Sequence, residues 1–439
     1  MTSSGSDGGR APRGPPALRV RWLVFVWIFA AAFTAYLQRT TLAVIAVPLT
    51  REAGFTTWQI SWLFNAFLIA YTAFQVPGGL FGQRVGARLG TLACIVLSIA
   101  GTAGFALAPA LATGTSLLAL LAAARFVTGV AQGPLFPINA GLIQAWFPPR
   151  RWALMNGLQV TGLSLGAAAT QPLVSRLMAD HGWQAAVYAT CLPGVALAAV
   201  WWWYIRDTPR EHPAIQPGEL AEIEDGGRPP PARQFAWAAA GRVLADRNVL
   251  LLTLGYLLMN YVFYFFMNWS FTYLVEARRL TILQSGWLAA IPLVTGAMCA
   301  SLGGYLCDLA CLRIGARWGF RIVPLVTLPL AAVLLSVAMH TDSAYWAVAA
   351  LAACFGCAQM TEAPFWAAAF WVAREQASAA TGVLNAGGNV GGIIGTFLVG
   401  YLATRYGWGA AFGTGIGFAL ASAAVWLLID VERRVPSRR

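Results

Sequence analysis

Three ionisable residues lie well inside long apolar stretches of this chain: Arg39, Arg125 and Glu362. A charge placed in hydrocarbon costs roughly 2.5 to 3.5 kcal/mol on insertion scales, so each needs a reason to be there. The amino-terminal half holds both arginines and, within its apolar stretches, no carboxylate to neutralise them. A guanidinium is a planar fork that matches a carboxylate bidentately, which makes an external anion the natural partner of Arg39 first and Arg125 second. The alternative for either is a reach to a helix end or a bond to backbone carbonyls. Glu362 has different chemistry, because a carboxyl can take up and release a proton.

Helical spacing gathers further polar side chains around these three. Tyr36 stands one turn before Arg39, Tyr71 and Gln75 are four apart, Arg125 and Gln132 are seven apart, and Trp366 follows Glu362 by one turn. The same reading gives Gln159 and Gln171, then Asn260, Tyr261, Tyr264 and Trp269, then Asn385 and Asn389. The expected lining of an anion site is Arg39, Tyr36, Tyr71, Arg125, Gln132, Gln159, Tyr264, Trp366, Asn385 and Asn389. Amides and hydroxyls in a helix bundle also serve as glue between helices, and about half of this set is expected to do so. The dense glycines from Gly382 to Gly395 fit close helix packing, with a flexing gate as the lesser reading, and no phosphate cradle fits inside an apolar run.

The elements that must hold these residues follow from composition. Of 439 residues 58% are hydrophobic and 10% charged, against roughly 25% charged in a soluble domain. Windows of about 20 apolar residues, enough to cross a bilayer, recur twelve times, near 22–48, 58–80, 89–110, 116–138, 153–175, 184–205, 248–274, 284–306, 319–339, 344–370, 378–403 and 409–430. Open sheet edges cannot be satisfied in lipid, so every window is read as a helix. The expectation is an all-α membrane protein with twelve transmembrane helices, numbered below as spans 1 to 12. Residues 1–21 read as a disordered cytoplasmic tail, 22–205 as a six-helix half, 206–247 as a cytoplasmic linker with a run at Pro229-Pro230-Pro231, 248–430 as the second half and 431–439 as a tail. The first apolar run is too long for a cleaved signal peptide.

The halves echo each other. Gly78-Gly79-x-x-x-Gln83 recurs as Gly303-Gly304-x-x-x-Asp308, and Gly182-Trp183-x-Ala185-Ala186 as Gly407-Trp408-x-Ala410-Ala411, both 225 positions later. Two matches at one offset mark an internal repeat. Two parallel six-helix halves with a site at their interface make a transporter architecture, in which one half rocks on the other.

The net charge of +12 is built on 29 basic residues, all arginine, spread between apolar runs and not gathered on one face. Nucleic acid and ATP are poor partners, for there is no basic helix with interleaved aromatics and no P-loop. Cys354-x-x-Cys357 lies in an apolar run, Cys307 and Cys311 are read as flanking a short loop, and His181, His212 and His340 fall in loops, so neither a metal nor another cofactor is implied. With the amino terminus inside, 22 arginines are cytoplasmic, 5 outside and 2 in the bilayer, which satisfies the positive-inside rule and puts both termini in the cytoplasm. Composition points to a multi-pass protein of a bacterial inner membrane, expected to act as a monomer.

These residues resemble a family. Tyr36-Leu-Gln-Arg39, Tyr71-x-x-x-Gln75-x-Pro77-Gly78-Gly79, Arg125-x-x-x-Gly129-x-x-Gln132-Gly-Pro134-x-Phe-Pro137, Asn156-Gly-Leu-Gln159-x-x-Gly162, Trp203-Tyr204-x-x-Asp207-x-Pro209, Trp269-x-x-Thr272-Tyr273-Leu274 and Asn385-x-x-x-Asn389-x-Gly391-Gly392 are similar to motifs of the major facilitator superfamily, and within it of the anion:cation symporter group. The likeness runs from about Tyr36 to Trp408. It implies alternating-access transport of a small organic anion, with Arg39 on the substrate carboxylate, Tyr36, Tyr71 and Gln159 lining the site, and Asn385 or Asn389 closing it from the other half.

The departures carry as much as the matches. Proton-driven members of the family have an aspartate where this chain has Gln38 and a glutamate where it has Gln132. Gln83, beside Arg84 in the loop motif whose repeat carries Asp308, likewise replaces an aspartate that helps latch one conformation. Glutamine keeps hydrogen bonding and cannot take up a proton. Coupling is thus expected to pass through Glu362, with protons as the coupling ion; facilitated diffusion and anion exchange are the alternatives. Two other functions stay open at this stage. A drug or cation exporter of the same fold would want an acid in the amino-terminal cavity and a Gly-Pro pair in span 5, which Gly157 to Pro172 lacks. A transporter-like anion sensor would bind without moving its ligand. An enzyme is not expected, as there is no nucleophile–base pair.

Overall fold

The computed structural model describes residues 20–148, 151–224, 245–373 and 376–432, and the described secondary structure is helical throughout. The tails at 1–19 and 433–439 and the proline run of the linker lie outside the described residues. Val20 and Arg21, read as tail, form the first turn of span 1, Val20–Glu52. Ten described helices are long and apolar enough to cross a membrane. One of them, Ile282–His340, runs 59 residues and holds two spans, because Gly315 at φ 79° breaks the helix. Adding Trp152–His181, a 30-residue helix, reconciles the ten with the twelve windows.

Spans 2 and 3 are Thr57–Val85 and Ala87–Leu111. Between them Gly86 adopts φ 91°, a left-handed conformation that glycine takes without strain. The Asp207 carboxylate fills the space there and accepts from Arg88 N at 2.8 Å, satisfying a first-turn amide of span 3. Span 4 is broken into Gly114–Gln132 and Leu135–Trp146 around Gly133-Pro134, where proline removes a donor from the helical ladder. Span 6 is Trp183–Tyr204. Span 7 breaks at Trp269 into Arg247–Asn268 and Ser270–Glu276. Span 10 breaks into Ala344–Gln359 and Glu362–Ala373, and spans 11 and 12 are Ala377–Tyr406 and Trp408–Leu428. Cys307 and Cys311 do not flank a loop; both lie inside the helix ahead of Gly315. Arg321, one of the 22 arginines counted as cytoplasmic, is buried and donates to the Ile429 carbonyl at 3.1 Å.

Packing explains the glycines of span 11. Side chains at Gly387, Gly388, Gly391, Gly392 and Gly395 would collide with Thr253, Tyr256, Leu257, Tyr264 and Tyr261, so their absence lets span 11 lie against span 7. The outer faces of the bundle are apolar: Leu312 is 86% exposed and Trp203 74%, a surface suited to lipid and costly in water.

The halves pack against each other at the end where span 1 gives way to span 2. A Cβ added at Gly400 would stand 2.7 Å from that of Ser61, and one at Gly286 2.8 Å from that of Ser175. These two contacts are images of each other, since Gly286 is Ser61 plus 225 and Gly400 is Ser175 plus 225, the offset of the internal repeat. Trp58 N donates to Thr404 Oγ1 at 3.1 Å, and Trp62 stacks edge-on to Phe397, further closing that end. At the opposite end a linker helix, Pro217–Glu224, is tied to the first half. Glu219 accepts from the first amides of span 1, Val20 N and Arg21 N, each at 3.1 Å, while Arg21 pairs with Glu222 at 2.8 Å.

Candidate substrate site

Arg39 sits midway along span 1 with 9% of its surface exposed. Its guanidinium donates to Tyr36 Oη at 3.0 Å and to Tyr264 Oη at 3.2 Å. It also lies 4.9 Å from the centroids of Tyr36, Phe67 and Tyr71. Ring faces attract a cation through their quadrupole without discharging it. No carboxylate among the described residues is ion-paired with Arg39 or Arg125. Tyr264 belongs to span 7 and stands 225 positions after Arg39, so the bond between them joins equivalent places in the two halves. Tyr264 Oη in turn donates to Asn389 Oδ1 at 3.3 Å, leaving Asn389 Nδ2 without a protein partner. Four expected residues, Arg39, Tyr36, Tyr71 and Tyr264, thus form one cluster, with Asn389 attached to it.

Arg125 is placed differently. It is buried, donates to the backbone carbonyl of Arg39 at 3.2 Å and lies 4.8 Å from the centroid of the Phe67 ring that Arg39 also meets. Its Nε has no protein partner. Gln132 does not join Arg39 either. Its Nε2 donates to Ser98 Oγ at 2.9 Å, Ser98 Oγ donates to Gln38 Oε1 at 2.6 Å, and Gln38 Nε2 reaches the Thr190 carbonyl at 3.4 Å. The two glutamines are therefore linked through one serine in a neutral chain inside the first half.

Gln159 is buried with Nε2 unpartnered. Span 5 follows span 1 in register, with Gly162 against Phe29, Gly166 against Phe33 and Thr170 bonded to Thr40. That register puts Gln159 level with a point about three turns nearer the start of span 1 than Arg39, away from the guanidinium cluster. Asn385 Nδ2 donates to Gln75 Oε1 at 3.0 Å, a bond between the halves. Glu362 opens the second helix of span 10, where its Oε1 accepts from Tyr256 Oη at 2.7 Å and from Trp366 Nε1 at 2.9 Å. Trp366 is held by Glu362 and is not joined to Arg39. Gln83, Arg84 and Asp308 are exposed.

Sequence reasoning missed Phe67, Ser98 and Tyr256. Phe67 was legible as the residue one turn before Tyr71, and Tyr256 as two turns before Tyr264 on the same face. Ser98 carried no signal beyond being polar in an apolar run. The assembled arrangement is a buried cation in an aromatic cage at the seam between two halves, with the unpartnered Asn389 Nδ2 beside it, and a carboxylate held by Tyr256 and Trp366 within the second half.

The Major Facilitator Superfamily model matches residues 28–369 and 283–439. The chain is 29% identical over 94% of its length, and 97% of the relative, to the D-galactonate transporter of Escherichia coli O6:H1. It is 27% identical over 95% of its length, and 93% of the relative, to a probable galactarate/D-glucarate transporter of Bacillus subtilis. Its fold resembles an inward-facing, unoccupied crystal structure of a bacterial homologue of the human lysosomal transporter Spinster, with TM-score 0.77 at 16% identity, covering 94% of this chain and 97% of that one. The chain belongs to the major facilitator superfamily and is a multi-pass membrane transporter, similar to the sugar-acid carriers of its anion:cation symporter-like group.

Proposed function

We propose that this protein carries a small organic carboxylate across a bacterial inner membrane by alternating access, with the carboxylate held by Arg39. The observation that carries the reading is a buried guanidinium bonded to two tyrosine hydroxyls from opposite halves and paired with no carboxylate among the described residues. An arriving carboxylate supplies the missing counter-charge and engages both halves at once, so binding is coupled to their relative motion. The names of the relatives, which carry sugar acids, support the substrate class. Two buried arginines in the first half disfavour a cation exporter.

The arginine distribution supports both termini facing the cytoplasm. In that orientation the closed end, where Ser61 meets Gly400 and Ser175 meets Gly286, faces outward. Coupling is altered relative to proton-driven relatives. Gln38 and Gln132 are satisfied by Ser98 and have no proton to exchange, which leaves Glu362 as the proton carrier. Thermal-shift measurement of purified protein against carboxylates and organic cations tests the substrate class, because stabilisation tracks affinity. Carboxylates are expected to stabilise the wild type and not Arg39→Ala; stabilisation by cations alone contradicts the proposal.

A further inference from the structure

We propose that Asn65 and Gln171 form a paired release device beneath the closed end: two carboxamides that closure leaves without hydrogen-bond partners and that opening gives to water, so that closure is penalised. The device depends on neither the substrate nor the membrane orientation assigned above.

The contacts at the closed end are made by packing. Ser61 Oγ donates to the Trp58 carbonyl at 2.6 Å and Ser175 Oγ to the Gln171 carbonyl. Each hydroxyl is thus engaged within its own helix, and neither donates across to the glycine it meets. One turn deeper, on the same helical faces, lie Asn65, four residues after Ser61 in span 2, and Gln171, four residues before Ser175 in span 5. Both residues are 0% exposed. Asn65 Nδ2 and Oδ1, and Gln171 Nε2 and Oε1, have no hydrogen-bond partner among the described residues. Buried amides are ordinarily bonded, because an unpartnered one keeps its whole desolvation penalty.

The register shows why these two lack partners. Trp58 meets Thr404 and Ser61 meets Gly400, so span 11 runs antiparallel to span 2 and brings Thr396 level with Asn65. Thr396 Oγ1 already accepts from Asn268 Nδ2 at 3.0 Å, inside the second half. The other seam is the image of this one at the offset of 225, in which Gln171 takes the place of Thr396 and Ala290 that of Asn65. Alanine has no polar side chain to offer. The seam between spans 2 and 11 does pair amides where the residues permit it, since Asn385 donates to Gln75 at 3.0 Å further along. An orphaned amide therefore stands directly under each serine–glycine contact, one per seam. When the halves part as units, both amides reach water together. The closed state is raised toward the open one by that much, which keeps a carrier that must visit both from being trapped shut.

The rate at which a hydrophilic thiol reagent modifies a cysteine at Ser61 or Ser175 reads how often this end opens. It is measured on purified full-length protein in detergent, over the rate of the protein without the added cysteine, so the result does not depend on which membrane face the end occupies. Each amide is replaced on the seam that does not carry the probe: Asn65→Leu with Ser175→Cys, and Gln171→Met with Ser61→Cys. Both replacements keep the approximate shape and remove the polar atoms. Each is expected to slow modification by about fivefold or more, the lower bound for relieving one unsatisfied buried group. Asn65→Asp has the same shape with a charge and is expected to speed it. The melting temperatures of the apolar variants should hold or rise. An unchanged or faster rate in the apolar variants overturns the proposal, as does slower modification in Asn65→Asp. A lower melting temperature of the apolar variants, or their failure to fold, gives the amides a structural role and overturns it as well.

Discussion

Arg39 carries its charge inside a cage of rings, and the cage holds the fork without neutralising it. Removing the fork should therefore cost ligand binding more than folding. Arg39→Ala is expected to weaken carboxylate affinity by at least about 30-fold, the lower bound for truncating one member of a buried charge pair. Arg39→Lys is expected to recover only part, since an ammonium cannot bind bidentately. Isothermal titration of both variants checks this, with near wild-type affinity in Arg39→Ala as the contrary result. At this scale the sequence was informative about which residues matter and less so about which face they serve. Seven residues is close to two full turns, so the shared stripe of Arg125 and Gln132 was legible. Both, however, point into the first half, toward the Arg39 carbonyl and Ser98, because the direction of a stripe depends on how span 4 is rotated against spans 1 and 3.

The spans were legible because twenty apolar residues in lipid leave the backbone no choice but a helix. Their breaks were legible only in part. Gly133-Pro134 announces one and Pro364, four residues after Met360, bears on another, whereas the interruption at Trp269 has no proline beside it. The two serine–glycine contacts at the closed end leave no mark in the sequence, because each joins residues of different halves. They carry a prediction at the level of elements: Gly286→Leu or Gly400→Leu should hold that end open, since the helices can no longer approach. Transport should fall by about tenfold or more for each variant, as geometric misplacement commonly costs far more. A cysteine at Ser61 or Ser175 should become more reactive to an impermeant thiol reagent; unchanged reactivity contradicts the assignment of these contacts as the seal.

The linker adds a second test at the same level. His212 is buried against Trp146 and Tyr204, and burial first, with Arg206 nearby, pushes its pKa below the ordinary value. A base with a depressed folded pKa keeps its full contribution to stability above its unfolded value of about 6.5 and loses it as pH falls below that toward the folded one. The Ala214 amide donates to His212 Nδ1 at 3.3 Å, a bond that protonation of this nitrogen removes. Thermal stability should drop between about pH 7 and pH 5 more steeply in the wild type than in His212→Gln, as followed by scanning fluorimetry; parallel curves contradict it.

At the scale of the whole molecule, the basic residues behind the net charge of +12 divide into arginines at or beyond the span ends, the buried Arg21 and Arg321 among them, and two within spans, Arg39 and Arg125. The bond between Arg39 and Tyr264 joins equivalent positions in the two halves, so on the proposed reading a rocking motion would make or break the ligand's contacts. Glu362 belongs to the second half, so in the proposed mechanism proton and anion would be held on opposite sides of the seam. Glu362→Gln should abolish accumulation driven by a pH step and spare exchange of labelled for unlabelled substrate. If pH-driven accumulation persists equally without Glu362, it is not the proton carrier. The central claim, that this is a carboxylate carrier working through Arg39, is tested most directly by counterflow in proteoliposomes. Vesicles loaded with unlabelled sugar acid are given a trace of the labelled acid outside. Wild-type protein is expected to concentrate the label transiently, and Arg39→Ala to leave it at the level of empty vesicles. Equal counterflow in folded Arg39→Ala would contradict the account.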